Sequence, residues 1–413
     1  MKRPLFSAYG IELEYVIVDR VTLAVQSCAD RVLQSLSHVP HDHFPADFSA
    51  GLCSWSNELA LHVIELKISD PIANLTRLST AFEHAVEAVD PVLETLGLRL
   101  LPTSMHPWMN PSRETRLWPH QCAEIYQQYH DIFNCHSHGW ANVQSMHLNL
   151  PFDGDEQFAK LHAAARLVLP LLPALAASSP IVDAQRSGWH STRMKMYMTH
   201  CDRVPVMTGA IIPEPIYDEA RYRREIFAPI ADAIRPLCSG DSLRCDFLNA
   251  RGAIARFDRG SVELRVMDVQ EYPAADVAIA AAVVALLRAL AEQTWTSLEE
   301  QKQMPTEPLQ TLLVKACIGG ENMIIEDRDF LRHFGVTDRS IRSGELWKQL
   351  IQTLRGGDAT LDSLMAPLNI ILEHGTLSTR LLNRLGHSFS QPALLETYAQ
   401  VADCLQQQRP LMP

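Results

Sequence analysis

The stretch Gly10-Ile11-Glu12-Leu13-Glu14-Tyr15-Val16-Ile17-Val18 constrains this chain more than any other. Its β-branched and aromatic content predicts a strand. Side chains two positions apart on a strand point to one face, so Glu12 and Glu14 lie side by side. Two like charges at that spacing cost free energy unless something positive lies between or above them. On a solvated face the pair means little. On a cavity wall its counter-charge would be a divalent cation, and the remaining ligands must come from elsewhere in the chain.

The rest of the chain has the material to build such a cavity. It runs to 413 residues, of which 47% are hydrophobic and 20% charged, enough for two or three domains or one large α/β domain. A net charge of −12 gives no broad basic surface and argues against nucleic acid as a partner. The residues after Met1 include no apolar run fit for a signal peptide. The longest apolar stretch, 277–290, is shorter than a membrane span and carries Arg288, so no membrane partner is expected. Nine dispersed cysteines without a C-x-x-C pair read as reduced thiols, and a cytoplasmic location is expected.

Taken in order, the pattern predicts a short amphipathic helix over 30–37, a loop over 39–54 and a second strand region over 58–69. A long helix begins at Asn74, its apolar positions Leu75, Leu78, Phe82, Val86, Val89 and Leu93 following the helical period. A strand over 98–102 leads into the irregular loop 105–111, and a helix follows over 122–133. The next strand, 141–150, puts Ser145, His147 and Asn149 on one face. The helix expected over 155–177 should kink or break at Pro170 and Pro173. Beyond it come a Ser/Gly-rich basic loop with Arg186 and Arg193, a helix over 219–234, a strand over 243–248, a turn over 256–260 and a strand over 261–268. An Ala-rich helix over 274–294 is apolar all round and should be buried. Residues 299–308 read as a linker and the remainder as helical, with turns at Gly319-Gly320 and Gly356-Gly357. No 30-residue βα rhythm or Gly-rich turn marks a dinucleotide fold, which favours an α+β fold: a largely antiparallel sheet backed by helices.

Four strand regions thus carry polar residues among apolar ones. They offer Glu12 and Glu14, then Glu65 with Glu58 just before it, then His147, then Glu263 with Arg265. Each alone has a bland explanation: a solvated face, a salt bridge from Glu65 to Lys67, a hydrogen-bonded core histidine, a surface ion pair of little value. Together they form an oxygen-rich set with one imidazole, which suits Mg²⁺, or Mn²⁺, better than structural Zn²⁺. Carboxylates that hold metal, beside arginines, equip a site for phosphoryl transfer. Cys135, His136 and His138 lack a second ligand pair at zinc-site spacing. Neither a G-x-S-x-G nor a P-loop motif is present.

Three segments in order, Gly10-Ile11-Glu12-Leu13-Glu14, Leu175-Ala176-Ala177-Ser178-Ser179-Pro180 with Ser191-Thr192-Arg193, and Ser261-Val262-Glu263-Leu264-Arg265-Val266-Met267-Asp268, resemble the glutamate–cysteine ligase type 2 family of carboxylate–amine ligases. The segment from Ile371 to Leu382 is similar to that family's C-terminal region. The resemblance implies a glutamine-synthetase-like curved antiparallel sheet with helices outside it. It implies a catalytic core over 1–298 and a helical C-terminal region over 299–413 packed on that core. It implies use of ATP and Mg²⁺ to phosphorylate a carboxylate, typically the γ-carboxylate of glutamate, which an amine, typically that of cysteine, then attacks. By position, Glu12 and Glu14 would bind two metal ions, and Glu65, His147, Glu263 and Glu58 would complete the metal set. Arg265 would hold phosphate oxygens, and Arg193 a phosphate or a substrate carboxylate. The sequence departs from the family pattern at Gln144-Ser145-Met146-His147, where relatives carry Gln-His-x-His, and at Ser104-Met105-His106-Pro107-Trp108. A different amino acid or amine, a catalytically silent nucleotide- or amino-acid-binding relative, and a metal-dependent hydrolase are the alternatives. The C-terminal helices are left open as lid, homodimer contact or packing.

Overall fold

A computed structural model describes residues 2–40, 42–238, 248–386 and 389–413. At its centre is an eight-stranded sheet, all of whose pairings are antiparallel. We number its strands in chain order: β1 (Gly10–Asp19), β2 (Asp47–Ala50), β3 (Cys53–Asn57), β4 (Val63–Ile68), β5 (Leu98–Leu101), β6 (Ser145–Pro151), β7 (Ala253–Arg256) and β8 (Ser261–Asp268). The order across the sheet is β2-β3-β4-β1-β6-β8-β7, with β5 joining the far end of β1. β1 is therefore central, and its alternation divides the molecule into two sides.

The odd side is dry. Ile11, Leu13, Tyr15 and Ile17 of β1 are fully buried there, with Ile64 and Leu66 of β4 and Met146 and Leu148 of β6. At roughly 1.5–3 kcal/mol for each large apolar side chain, that face is the main source of stability. The Pro273–Ala291 helix contacts both the Thr76–Thr95 and the Gly154–Val168 helices in this core. Proline at its first turn supplies a fixed φ, and the Ala-rich body buries nearly every side chain. It is long and apolar enough to cross a membrane, but 89% of that window is buried inside the molecule.

The even side changes character along β1. Glu12 and Glu14 come first. Val16 and Val18 follow, and they are buried under Leu377, Leu381, Leu394 and Tyr398 from the C-terminal helices Leu377–Leu385 and Gln391–Gln407. The segment at Leu411 is pinned by a buried ion pair. Arg380 donates to both carboxylate oxygens of Glu271 and, at 2.7 Å, to the Leu411 carbonyl, while the Leu411 amide donates to Glu271 at 3.2 Å.

The strand pattern and the core helices largely follow the sequence, and the structure departs from it at several places. The strand read over 141–150 begins only at Ser145, after the short helix His138–Ala141; Arg193 of the expected basic loop lies on the helix Thr192–Tyr197; and the C-terminal part read as helical also contains the strand pair Ile324–Ile325 and Ile341–Arg342. A hairpin, β2–β3, occupies part of the expected loop 39–54. The region 58–69 pairs as a strand only from Val63, because the Leu61 amide donates to Arg116 and the Leu61 carbonyl accepts from Ala29 instead of a neighbouring strand. The expected linker 299–308 is partly helical: Ser297 and Glu300 form a reciprocal capping box on Leu298–Lys302. Arg256, assigned to a turn, ends β7. The helix around the two prolines breaks as expected into Gly154–Val168, a tight turn over Leu169–Leu171 and Pro173–Ala176. The strand expected over 243–248 falls on residues that, apart from Leu248, lie outside those described.

The Arg380–Glu271 pair yields a test. Arg380→Met leaves a buried carboxylate without its cation, and urea unfolding at neutral pH should show a loss of about 3–5 kcal/mol. Adding Glu271→Leu should recover most of it.

Candidate active site

The register of the sheet puts the polar side chains into one row. Glu12 faces Lys67 on β4 and His147 on β6, Glu14 faces Glu65, and Glu263 on β8 faces Asn149 on β6. Cross-strand partners share a face, so Glu12, Glu14, Glu65, Lys67, His147, Asn149 and Glu263 stand on the same surface of the sheet. Gly10 opens the near end of that row. A Cβ there would come within 3.1 Å of the Asn149 Cβ and displace the residue whose side-chain amide donates to Glu12 at 3.0 Å.

Ligand atoms of Glu12, His147 and Glu263 converge within 4.8 Å of one another. His147 Nδ1 lies 3.1 Å from Glu12 and 3.7 Å from Glu263, and its Nε2 is 2.9 Å from the Ser145 hydroxyl. Glu14 is held by the Ser145 backbone amide at 2.8 Å and hydroxyl at 3.1 Å. Glu65 accepts from Ser56 at 2.6 Å and from Lys67. Arg256 and Arg265 flank Glu263 at 3.2 and 3.3 Å. Two carboxylates and an imidazole closing on one point form a donor set of the kind that binds Mg²⁺ or Mn²⁺. Residues on rigid strands hold such a set in place.

Charge in the row is unevenly shared. Burial raises the Glu12 carboxyl, but the hydrogen bond and charge of His147, with Lys67 and Arg265, outweigh it and bring Glu12 down to about 2. Burial raises Glu65, and the charge of Glu12 adds to this against the pull of Lys67 and Ser56. Glu58, in the connection after β3, is pushed well above the carboxylate range by burial and then by Glu14 and Glu65. Burial opposes the charge of Arg265, but Tyr197, Glu263, Glu14 and Glu12 more than offset it, and its pKa is raised.

Two cavities open on this face. One, of about 530 Å³, lies at the Glu12 end and is bordered by Arg3, Gly10, Lys67, Asn149 and Arg259. The other, of about 230 Å³, lies at the Glu14 end, where Glu58, His147 and Arg265 meet an aromatic wall of Tyr129, Trp140 and Tyr197. That wall is braced from outside. His62 lies 2.7 Å from the Ala141 carbonyl, and Asn142 exchanges hydrogen bonds with the His106 backbone at 2.6 and 3.1 Å. The loop around His106 is thus hydrogen-bonded to Asn142, beside the segment that carries Trp140.

Arg193 is buried at the edge of the second cavity, on the helix Thr192–Tyr197. Its Nη2 donates to the Arg265 carbonyl at 2.7 Å, and its Nη1 to the Val266 carbonyl at 3.3 Å and to Asp268 at 3.4 Å. Those two carbonyls sit where the β6–β8 register slips between Leu264 and Met267. Arg193 thus satisfies the backbone of a bulge in the strand bearing Glu263 and Arg265. Asp268 gathers the rest: it accepts from the Ser178 amide at 2.9 Å, from Ser179 at 2.8 Å and from Ser191 at 3.1 Å. The Ser-Ser and Ser-Thr-Arg motifs are brought to the end of β8, and their polar groups serve its geometry.

Of the residues read from sequence, Glu12, Glu14, Glu65, His147, Glu263 and Arg265 form the row, Glu58 borders its cavity and Arg193 supports it from behind. Asn149, Arg256 and Tyr197 were not singled out. The alternation Ser145-x-His147-x-Asn149 carried the signal for the first. Arg256 and Tyr197 give none, since one falls in a stretch that reads as a turn and the other follows one that reads as a loop.

A family model described as glutamate-cysteine ligase family 2 (GCS2) matches residues 8–400. An uncharacterized protein of Archaeoglobus fulgidus is 30% identical over 350 residues, 84% of this chain and 86% of that relative. A putative glutamate–cysteine ligase 2 of Clavibacter michiganensis subsp. michiganensis is 24% identical over 195 residues, 46% of each chain. The crystal structure of glutamate–cysteine ligase from Francisella tularensis in complex with AMP superposes with a TM-score of 0.58 at 15% identity, covering 96% of this chain and 88% of the other. A bifunctional glutathione synthetase from Pasteurella multocida gives a TM-score of 0.60 at 15% identity, covering 98% of this chain and 52% of the other. The chain belongs to the glutamate-cysteine ligase family 2 and has its α+β fold.

His62 and His106, which brace the cavity, and His200, which lines it, set a pH dependence. Burial brings His62, His106 and His200 each down to about 4, below the ordinary histidine value near 6.5. Between those values the unfolded chain binds protons that the folded one does not, so stability is full above about 6.5 and falls as pH drops toward 4. Urea midpoints measured from pH 7 to 4 should decline across that window. His62→Gln should lessen the slope.

Proposed function

We propose that this protein is an ATP- and Mg²⁺-dependent carboxylate–amine ligase that works through an acyl phosphate. Its most direct substrates would be the glutamate γ-carboxylate and the amine of cysteine. Membership of the ligase family supports the reaction class. The single observation that carries the site assignment is the convergence of Glu12, His147 and Glu263 on one point of a rigid sheet face.

A carboxylate repels an incoming amine and offers no leaving group. Phosphorylation removes both obstacles. Bound at this face, Mg²⁺ would neutralise phosphate oxygens and bring ATP and carboxylate together. Glu12, His147 and Glu263 would hold one ion, and Glu14, Glu65 and Glu58 a second. Arg265, beside Glu263, presents a fixed positive charge to the oxygens of the group in transfer. Because Arg193 holds the Arg265 backbone, that charge does not have to be repositioned during the reaction. The 530 Å³ cavity, edged by Arg3, Lys67 and Arg259, suits a polyanion such as the nucleotide. The smaller aromatic-walled cavity suits the acid and amine.

The test is phosphate release from ATP with Mg²⁺ and pairs of amino acids and amines, with the product identified by mass. Release should require both an acid and an amine. Glu12→Gln and Glu263→Gln should each lower turnover by at least about a hundredfold and abolish tight Mn²⁺ binding, with the urea midpoint little changed. Near-normal turnover in both variants would sink the metal assignment. ATP binding without release for any pair would point instead to a nucleotide-binding relative without activity.

A further inference from the structure

One hydroxyl joins the two halves of the polar row. Ser145 opens β6, is buried, and pairs across the sheet with Asp268 at the end of β8. Its backbone amide and its hydroxyl both reach Glu14 Oε2, at 2.8 and 3.1 Å. The same hydroxyl lies 2.9 Å from His147 Nε2. The other ring nitrogen, Nδ1, faces Glu12 at 3.1 Å and Glu263 at 3.7 Å. His147 thus stands between the Ser145 hydroxyl and the point on which Glu12 and Glu263 close.

Simple valence limits where the protons sit. A carboxylate only accepts, a serine hydroxyl donates once and also accepts, and a neutral imidazole carries one N–H. Two arrangements use the same protons. In one, the hydroxyl donates to His147 Nε2, and Nδ1–H donates to Glu12. In the other, the hydroxyl donates to Glu14, and Nε2–H donates to the hydroxyl. Nδ1 then directs a lone pair at two carboxylates, which suits only a cation placed among the three. A hydroxyl turns about a single bond, so passing between the arrangements needs no rotation of the buried ring.

We propose that Ser145 is a positioning residue for His147: its hydroxyl accepts Nε2–H when Nδ1 is given to a divalent cation, and so selects Nδ1 as the ligand atom. The proposal rests on the metal assignment made above for Glu12, His147 and Glu263. A metal-binding histidine commonly donates its second N–H to an oxygen that fixes the ring, and losing that oxygen weakens metal binding about 10–100-fold. Here the oxygen lies two residues before the histidine on the same strand face, and the bond from the Ser145 amide to Glu14 anchors it.

The test compares wild type, Ser145→Ala and Ser145→Thr, with Mn²⁺ binding followed by electron paramagnetic resonance and no nucleotide, acid or amine present. Ser145→Ala should weaken Mn²⁺ binding about tenfold or more. Ser145→Thr keeps the hydroxyl on a strand-forming side chain and should stay within about threefold of wild type. The ring tautomer is read from long-range proton–nitrogen spectra of protein with ¹⁵N-labelled histidine, the His147 signals being assigned by their loss in His147→Gln. Mg²⁺ should move wild type and Ser145→Thr to the pattern with Nε2 protonated and Nδ1 bare. At the lowest Mg²⁺ concentration that completes this change in wild type, Ser145→Ala should show it only in part. The proposal is overturned if Mg²⁺ leaves Nδ1 protonated in wild type, or if Ser145→Thr loses binding as Ser145→Ala does with its urea midpoint unchanged. Binding by wild type that Ser145→Ala leaves intact removes the role of Ser145 alone. Absence of Mn²⁺ binding by wild type removes the metal assignment as well.

Discussion

The arrangement depends on electrostatic repulsion contained within one sheet face. Glu12, Glu14, Glu65 and Glu263 stand on adjacent antiparallel strands, close enough that they could not all be charged without compensation. Lys67, paired with Glu65, and Arg256 and Arg265, at 3.2 and 3.3 Å from Glu263, supply part of it. The rest appears as raised carboxyl pKa values at Glu65 and Glu58. A sheet tolerates such a surface because its other face is dry. The buried Ile11, Leu13 and Tyr15 and the helices over them provide the stability that the charged row lacks.

The part of this that was legible in the sequence is the part governed by alternation. A strand's period of two places Glu12 with Glu14, and Ser145 with His147 and Asn149, whatever the tertiary fold. The all-apolar helix and the break at Pro170 and Pro173 follow from equally local rules. What escaped was decided at long range. The β2–β3 hairpin lies in a stretch rich in polar and turn-forming residues, and becomes strand by pairing with β4. Residues 59–61 look like strand but take their hydrogen bonds from the segments around Ala29 and Arg116. The environment of Arg193 depends on a register slip in another strand, which no spacing in the sequence reveals.

Asp268 explains why three separated motifs occur together. It accepts hydrogen bonds from Ser178, Ser179, Ser191 and Arg193 at the end of the strand that carries Glu263 and Arg265. Burial raises its pKa, with Arg193 first among the groups that oppose this. A carboxylate so surrounded fixes the strand end in one position, which keeps Arg265 at a constant distance from the row. The motif residues are thus divided between those that face the cavity and those that keep the strand beneath it in shape.

The packing of Val16 and Val18 against Tyr398 and Leu381 has a kinetic consequence. The strand that carries Glu12 and Glu14 is made well before the helices Leu377–Leu385 and Gln391–Gln407 that cover its far half. Closing so large a loop is slow, and it gains nothing until the distant partners exist. During synthesis the central strand must therefore wait with one apolar half uncovered. A nascent chain of this kind would depend on early pairing with β4 and β5, or on a chaperone, to shield that half until those helices arrive.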